Sequence, residues 1–292
     1  MRIVVASGKG GTGKTTVATS LAQVAAEQDA VRFLDCDVEA PNAALFLHPA
    51  FETHRDVGIR VPRVDPEVCT HCGKCAEVCQ FNAIAVVGQT TLVFDDLCHG
   101  CGSCTWMCPE QAISEHLSVT GTIDSGWTPE GIAFAQGVMN VGQAMGVPIL
   151  RELKKWIPVQ SSATRDAPRR TLEIRDAPPG ASCPVVETMR GADVVLLVTE
   201  PTPFGLHDLK QVAAIARELG IPAAVVINRD GIGDDAVGAY CTESNLPILL
   251  RIPMERRIAE AIASGRTLVE AAPEYRLIFK DLLERIVAGG KA

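Results

Sequence analysis

Two sets of residues in this chain have the type and spacing to do chemistry. The first is Gly8-Lys9-Gly10-Gly11-Thr12-Gly13-Lys14-Thr15, which fits Gly-x4-Gly-Lys-Thr and is followed by Thr16. Glycines here let backbone N–H groups converge on phosphate oxygens, and a helix starting at the loop's end adds partial positive charge. Lys14 is expected to reach the β- and γ-phosphates of a nucleotide, and the Thr15 hydroxyl to ligate Mg²⁺. The second set is Cys69, Cys72, Cys75 and Cys79, repeated as Cys98, Cys101, Cys104 and Cys108 with Pro109 behind it. Each run is Cys-x2-Cys-x2-Cys-x3-Cys, a spacing that holds iron–sulfur clusters.

The tight spacing lets three thiolates of a run meet one face of a cubane, while the fourth, a helical turn further on, points at the other cluster. One 4Fe-4S cluster is therefore assigned to Cys69, Cys72, Cys75 and Cys108. The other is assigned to Cys98, Cys101, Cys104 and Cys79. Zinc would want four ligands in two pairs, not two evenly spaced runs of four. His71 and His99 read as solvated neighbours of the loops, not ligands. Gln80 stands where proline follows the second run, so the potentials of the two clusters are expected to differ.

These residues need a frame. Apolar strands alternate with amphipathic helical stretches over most of the chain, the pattern of a mostly parallel α/β sheet wound with helices on both faces. Strands are expected over 2–6, 31–35, 171–176, 193–199, 223–228 and 248–252. Helices are expected over 14–27, 184–190, 206–219, 234–244, 255–264 and 273–287. The cysteine segment breaks this rhythm, with a hairpin of 84–87 and 91–94 between its runs. It reads as a small α+β domain, residues 61–118, inserted in a discontinuous domain of 1–60 and 119–292. Residues 119–170 show no clear periodicity, and 131–146 reads as strand then loop.

Composition narrows the partners. A net charge of -8 argues against a general attraction to nucleic acid or anionic lipid. The N-terminus runs straight from an apolar strand into the glycine loop and reads as core, not as a leader. No apolar run approaches the roughly 18 residues of a membrane span. Eight of eleven cysteines lie in the two runs, which with the missing leader points to the cytoplasm. Of the other three, Cys36 and Cys241 read as core. The last helix has balanced charges on its polar face, so it too reads as core packing and no stable membrane association is expected.

Lys9 is a second lysine at the start of the phosphate loop, and on it the segment resembles the deviant Walker loop of the MinD/ParA-type ATPases. That group includes Mrp-type cluster carriers and the nitrogenase iron protein. The resemblance implies a P-loop fold, a homodimer formed on ATP binding, and a Lys9 that crosses the interface to the partner's nucleotide. It extends to Leu34-Asp35-Cys36-Asp37 with Pro41-Asn42, and to Asp176-Ala177-Pro178-Pro179-Gly180. It implies that Asp37 orients the attacking water, that Asp35 supports the Mg²⁺ shell, that Asp176 holds Mg²⁺ through water and that Gly180 senses the γ-phosphate. Asn228 and Pro253 would frame adenine, and Asn228-Arg229-Asp230-Gly231 lacks the guanine-type Asn-Lys-x-Asp. Cys183, seven residues after Asp176, stands where the iron protein has a cluster ligand at its dimer axis, and otherwise reads as a helix-starting core residue. The cysteine segment resembles bacterial ferredoxins with two 4Fe-4S clusters.

The expected function is an ATP-hydrolysing switch that couples nucleotide turnover to electron transfer, or to cluster or metal handling, with a redox or acceptor partner protein. An iron–sulfur scaffold or carrier is the alternative. A positioning ATPase is the third reading, and it would have no need of the cysteines.

Overall fold

The computed structural model describes residues 1–158 and 170–289. The first half of the chain forms β1 (Arg2–Ser7), α1 (Lys14–Ala25), β2 (Ala30–Asp35), α2 (Ala44–Leu47), β3 (Ala50–Val64), α3 (Lys74–Val78), β4 (Ile84–Val87), β5 (Thr90–Val93), α4 (Ser103–Trp106), β6 (Ile113–Trp127) and β7 (Ala133–Met139). The second forms α5 (Val147–Lys155), β8 (Thr171–Pro179), α6 (Cys183–Met189), β9 (Val194–Thr199), α7 (Pro203–Glu218), β10 (Ala223–Asp230), α8 (Ala236–Glu243), β11 (Ile248–Pro253), α9 (Arg256–Ala263), α10 (Leu268–Ala271) and α11 (Glu274–Gly289).

Among the described residues nine strands make one sheet in the order β11-β10-β9-β1-β8-β2-β7-β6-β3, while β4 and β5 pair separately as an antiparallel hairpin. From β11 to β7 every pairing is parallel, and β6 and β3 are added antiparallel. The central strand shows why apolar runs here become strands buried on both faces. Ile3 and Val5 face a layer built by α1, α10 and α11, and Val4 and Ala6 face α6, α7 and α8. A third core joins Leu34, Cys36 and Ala135 of the sheet to Ile149, Leu150 and Leu153 of α5. The helix α11 turns Tyr275, Phe279, Leu282, Leu283 and Ile286 inward against α1 and leaves Leu277 exposed. Among the described residues no helix is long and apolar enough to cross a membrane.

Two 15-residue strands, β3 and β6, were not expected from the sequence. They pair along their whole length, from Ala50 opposite Trp127 to Val64 opposite Ile113, and the cysteine runs hang from their far ends. Positions 61 and 118 fall inside them, so the arms carry the sheet's pairing outward to the cysteines. Their signal is weak because residues 50–56 lie exposed at the sheet edge, where charged side chains such as Glu52, Arg55 and Asp56 discourage further pairing. The register shifts between Val57 and Gly58, and a Cβ on Gly58 would stand 1.9 Å from the Ser118 carbonyl oxygen. Only glycine fits at this bend.

Candidate functional site

The C-terminal ends of the parallel strands meet along one edge of the sheet, where open α/β sheets bind their ligands. There β1 feeds the glycine loop, β2 ends at Asp35, β8 carries Asp176, β9 leads into Glu200, β10 carries Asn228 and β11 ends at Pro253. The ends of β1, β8, β10 and β11, with the segments that follow β1 and β2, border a cleft of about 630 Å³. Lys9–Thr16, Asp37, Pro179 and Asn228 form its polar wall, and Ile252, Pro253, Met254, Ile258 and Ile262 form an apolar one.

At the bottom, Lys14 is 7% exposed and its Nζ donates to Asp176 Oδ1 at 2.6 Å. The Thr15 hydroxyl donates to the other oxygen, Asp176 Oδ2, also at 2.6 Å. Burial works against the lysine's charge, but Asp176, with Asp35 and Asp37 behind it, outweighs this and holds the Lys14 pKa above its usual value. Asp35 is fully buried and accepts three backbone N–H groups, from Asp37 at 3.1 Å and from Asn42 and Ala43 at 2.9 Å each. Burial and the nearby Asp176 still push its pKa up to about 7. Asp37 lies half-buried at the cleft wall, its pKa raised by burial and by Asp176 against the pull of Lys14.

The loop itself is held from outside. Gly13 has φ 89°, and a Cβ there would lie 2.3 Å from Asn228 Nδ2. The Asn228 amide uses that approach to donate to the Thr12 carbonyl at 2.7 Å. Gly180, at φ 98°, donates its N–H to the Ser7 carbonyl at 2.9 Å, which ties the end of β8 to the start of the loop. Lys9 lies on the protein's own surface, paired with Glu200 at 2.9 Å. Glu200 also binds Arg229 at 2.7 Å, and Arg229 donates to the Gly11 carbonyl at 3.1 Å. The sequence reading assigned no role to Glu200 or Arg229. Glu200 had the same signal as Asp35 and Asp176, an acid following an apolar strand.

The cysteines gather around two cavities in the module between the arms. Cys79, Cys98, Cys101 and Cys104 line one, with Phe81 and His99. Cys69, Cys72, Cys75 and Cys108 line the other, with His71. Each cavity thus draws three cysteines from one run and the last cysteine of the other. The backbone repeats with them. His71 and Gly100, Gly73 and Gly102, and Asn82 and Gln111 hold positive φ at matching places in the two copies. N–H groups of Ala83, Gly100 and Ala112 point at the sulfurs of Cys79, Cys98 and Cys108 at 3.3, 3.4 and 3.4 Å. Such donors suit sulfur that carries charge as a ligand. His99 stacks on Phe81 with ring centroids 3.8 Å apart, and His71 Nδ1 approaches Cys69 Sγ at 3.7 Å and Thr91 Oγ1 at 3.2 Å. Among the described residues no three His, Cys, Asp or Glu side chains close up around a single ion.

The remaining cysteines divide. Cys36 and Cys241 are buried, and burial pushes the Cys36 thiol up to about 12. Cys183 is exposed at the first residue of α6, away from both cavities.

Comparison with known proteins matches this architecture. Residues 3–269 match the family model described as the CobQ/CobB/MinD/ParA nucleotide binding domain. The uncharacterized protein MJ0579 of Methanocaldococcus jannaschii is 31% identical over 277 residues, 92% of this chain and 92% of that one. The septum site-determining protein MinD of Pyrococcus horikoshii, solved with Mg-ADP, superposes with a TM-score of 0.56 at 20% identity, covering 100% of this chain and 98% of that one. A cytosolic Fe-S cluster assembly factor Nubp1 homolog of Drosophila willistoni is 27% identical over 182 residues, 53% of this chain and 58% of that protein. The chain belongs to the CobQ/CobB/MinD/ParA family of nucleotide-binding proteins.

Proposed function

We propose that this protein binds and hydrolyses ATP as a dimeric switch, and couples that turnover to electron transfer, or to cluster or metal handling, with a partner protein. The observation that carries the proposal is the crossed grouping of the cysteines. Two quartets, each sharing its fourth member with the other run, hang on arms of the same sheet that builds the phosphate cleft. Cys69, Cys72, Cys75 and Cys108 would hold one 4Fe-4S cluster, and Cys98, Cys101, Cys104 and Cys79 the other. When bound, these clusters supply one-electron chemistry.

In the cleft, the N–H groups of Gly10–Thr15 would receive the phosphates, with Gly8 opening the loop and Thr16 continuing its helix. Lys14 would turn from Asp176 to the β- and γ-phosphates, and Thr15 to Mg²⁺, leaving Asp176 to hold the ion through water. Asp35 has both oxygens engaged by backbone N–H groups, so it would support the Mg²⁺ shell through the loop it organises. Asp37, with its raised proton affinity, would orient the attacking water. Gly180 would exchange its bond to Ser7 for the γ-phosphate. Lys9 would leave Glu200 for the nucleotide of a second copy. Adenine would rest on the apolar wall between Asn228 and Pro253.

Main-chain hydrogen bonds supply a route for the coupling. Val38, next to Asp37, accepts from Met139 N at 2.8 Å, and Asn140 N donates to Thr120 at 2.9 Å, beside the Gly58 bend of the arms. Movement at Asp37 would therefore pull on the root of the module. The test is anaerobic isolation followed by iron, acid-labile sulfide and ATPase assays, then potentiometry with and without ATP. About eight iron atoms per chain and potentials that move with ATP are expected. Material without iron, or identical potentials and partner affinity in both conditions, would sink the reading.

A cluster scaffold or carrier is the second reading, favoured by the exposure of Cys183 and by the name of the Drosophila relative. It requires a labile metal held between two copies of Cys183. Cys183→Ser should then abolish that metal and spare the iron of the module, and an unchanged metal content rules the carrier out.

A further inference from the structure

The module's two halves repeat in backbone but not in surface, and the difference marks a contact face. The turn of α3 that leads to Cys79 carries Glu77 and Val78; the equivalent turn of α4 carries Trp106 and Met107. Glu77 is paired with Lys74 at 3.0 Å. Trp106 is 90% exposed and Met107 is 48% exposed. These two stand between Cys104, which lines one cysteine cavity, and Cys108, which lines the other. An indole held in water beside both cavities contributes nothing to the module's own core. Exposed tryptophan with an adjacent methionine is the composition of an interface hot spot.

Charge selects the occupant. Residues 61–118 carry seven carboxylates against two cations, Arg63 and Lys74, and all seven carboxylates are exposed. Glu115 and Arg60 border one cavity and Glu110 and Lys74 the other, so the acidic excess lies on the rest of the module's surface. The remainder of the chain keeps a slight acidic excess, so a second copy has no net positive charge to offer this module. We propose that Trp106 and Met107 are the docking point of a protein partner with a basic contact face and an exposed one-electron centre, held by an apolar contact on an acidic module. This rests on the iron–sulfur reading above. The exchange it would serve moves one electron per encounter, supplied by the module's clusters when bound and taken up by the partner's oxidised centre, with no bond formed and no proton moved.

The probe is oxidised cytochrome c, a basic haem protein, titrated calorimetrically into the anaerobically isolated, oxidised full chain, so that binding is read without electron transfer. Binding at low ionic strength is expected to weaken steeply with added salt. Trp106→Ala should weaken it about tenfold and Trp106→Phe by less than about threefold. Leu277→Ala, at an exposed apolar residue on α11, should leave it unchanged. Equal affinity for wild type and Trp106→Ala overturns the proposal, as does salt-insensitive binding or no binding at all. Iron and sulfide assays on the same samples judge the cluster reading separately: absent iron overturns that reading, and the comparison of wild type with Trp106→Ala in iron-loaded samples judges the surface.

Discussion

At the foot of the cleft Lys14 and Thr15 answer Asp176 side chain to side chain, whereas around the cysteine cavities the N–H groups of Ala83, Gly100 and Ala112 answer three of the sulfurs. Lys14, Thr15 and Asp176 form a closed set at the foot of a sheet buried on both faces. The module has only two small apolar groups of its own, Val61 and Ala83 with Cys98, and Ile84 and Ile113 with Cys75. Cysteines of both runs are themselves part of that core. The cleft is therefore stabilised by the fold, and on the proposed function it would adapt to a nucleotide by moving side chains. The module is shaped by left-handed turns, and on the iron–sulfur reading it would depend for stability on what its thiols bind, since so small an apolar core supplies little.

The largest expected effect tests that contrast. Removing iron with a chelator under reducing conditions should speed amide exchange in α3 and α4 by about 100-fold or more, while β1, β8 and β9 change less than about tenfold. Uniform loss of protection would mean that the two regions unfold as one. Asp176→Ala should come next: it leaves Lys14 buried without its partner and should cost about 3–5 kcal/mol in urea unfolding. Asp176→Asn keeps a hydrogen-bond acceptor and should cost less. A smaller effect is expected at the loop, where Asn228→Ala should cost about 1 kcal/mol through the lost bond to Thr12. Gly13→Ala should cost about 1–3 kcal/mol. The double variant should fall short of the sum, because removing the amide relieves the clash at 2.3 Å but not the strain of φ 89°. Trp106→Ala should change stability by less than about 0.5 kcal/mol, since the ring is exposed.

How much could be read beforehand differs between elements. The parallel strands were legible because burial on both faces demands continuous apolar runs, as in Val194–Thr199, and their helices because Gly220 and similar stops bound them. The arms were not. Residues 50–64 and 113–127 mix Thr, Ser, Gly and charged side chains, and their pairing partners lie up to 77 positions apart. The helix α5 escaped notice because it buries only Ile149, Leu150 and Leu153, in a core assembled from β2, β6 and β7.

By itself the sequence determined the local chemistry: a phosphate-type loop, two equal cysteine runs, acids at strand ends, and the alternation that makes a wound α/β sheet. Those follow from short-range spacing, and spacing is a property of the chain. Only the tertiary structure decided which partners each group meets. It set Asp176 between Lys14 and Thr15, gave Lys9 to Glu200, turned Asn228 onto the glycine loop, and sorted eight cysteines into two crossed quartets at the end of a paired ribbon. Contacts between residues up to 216 positions apart depend on how strands order themselves in a sheet, and that order is settled by burying whole faces together rather than by any local signal.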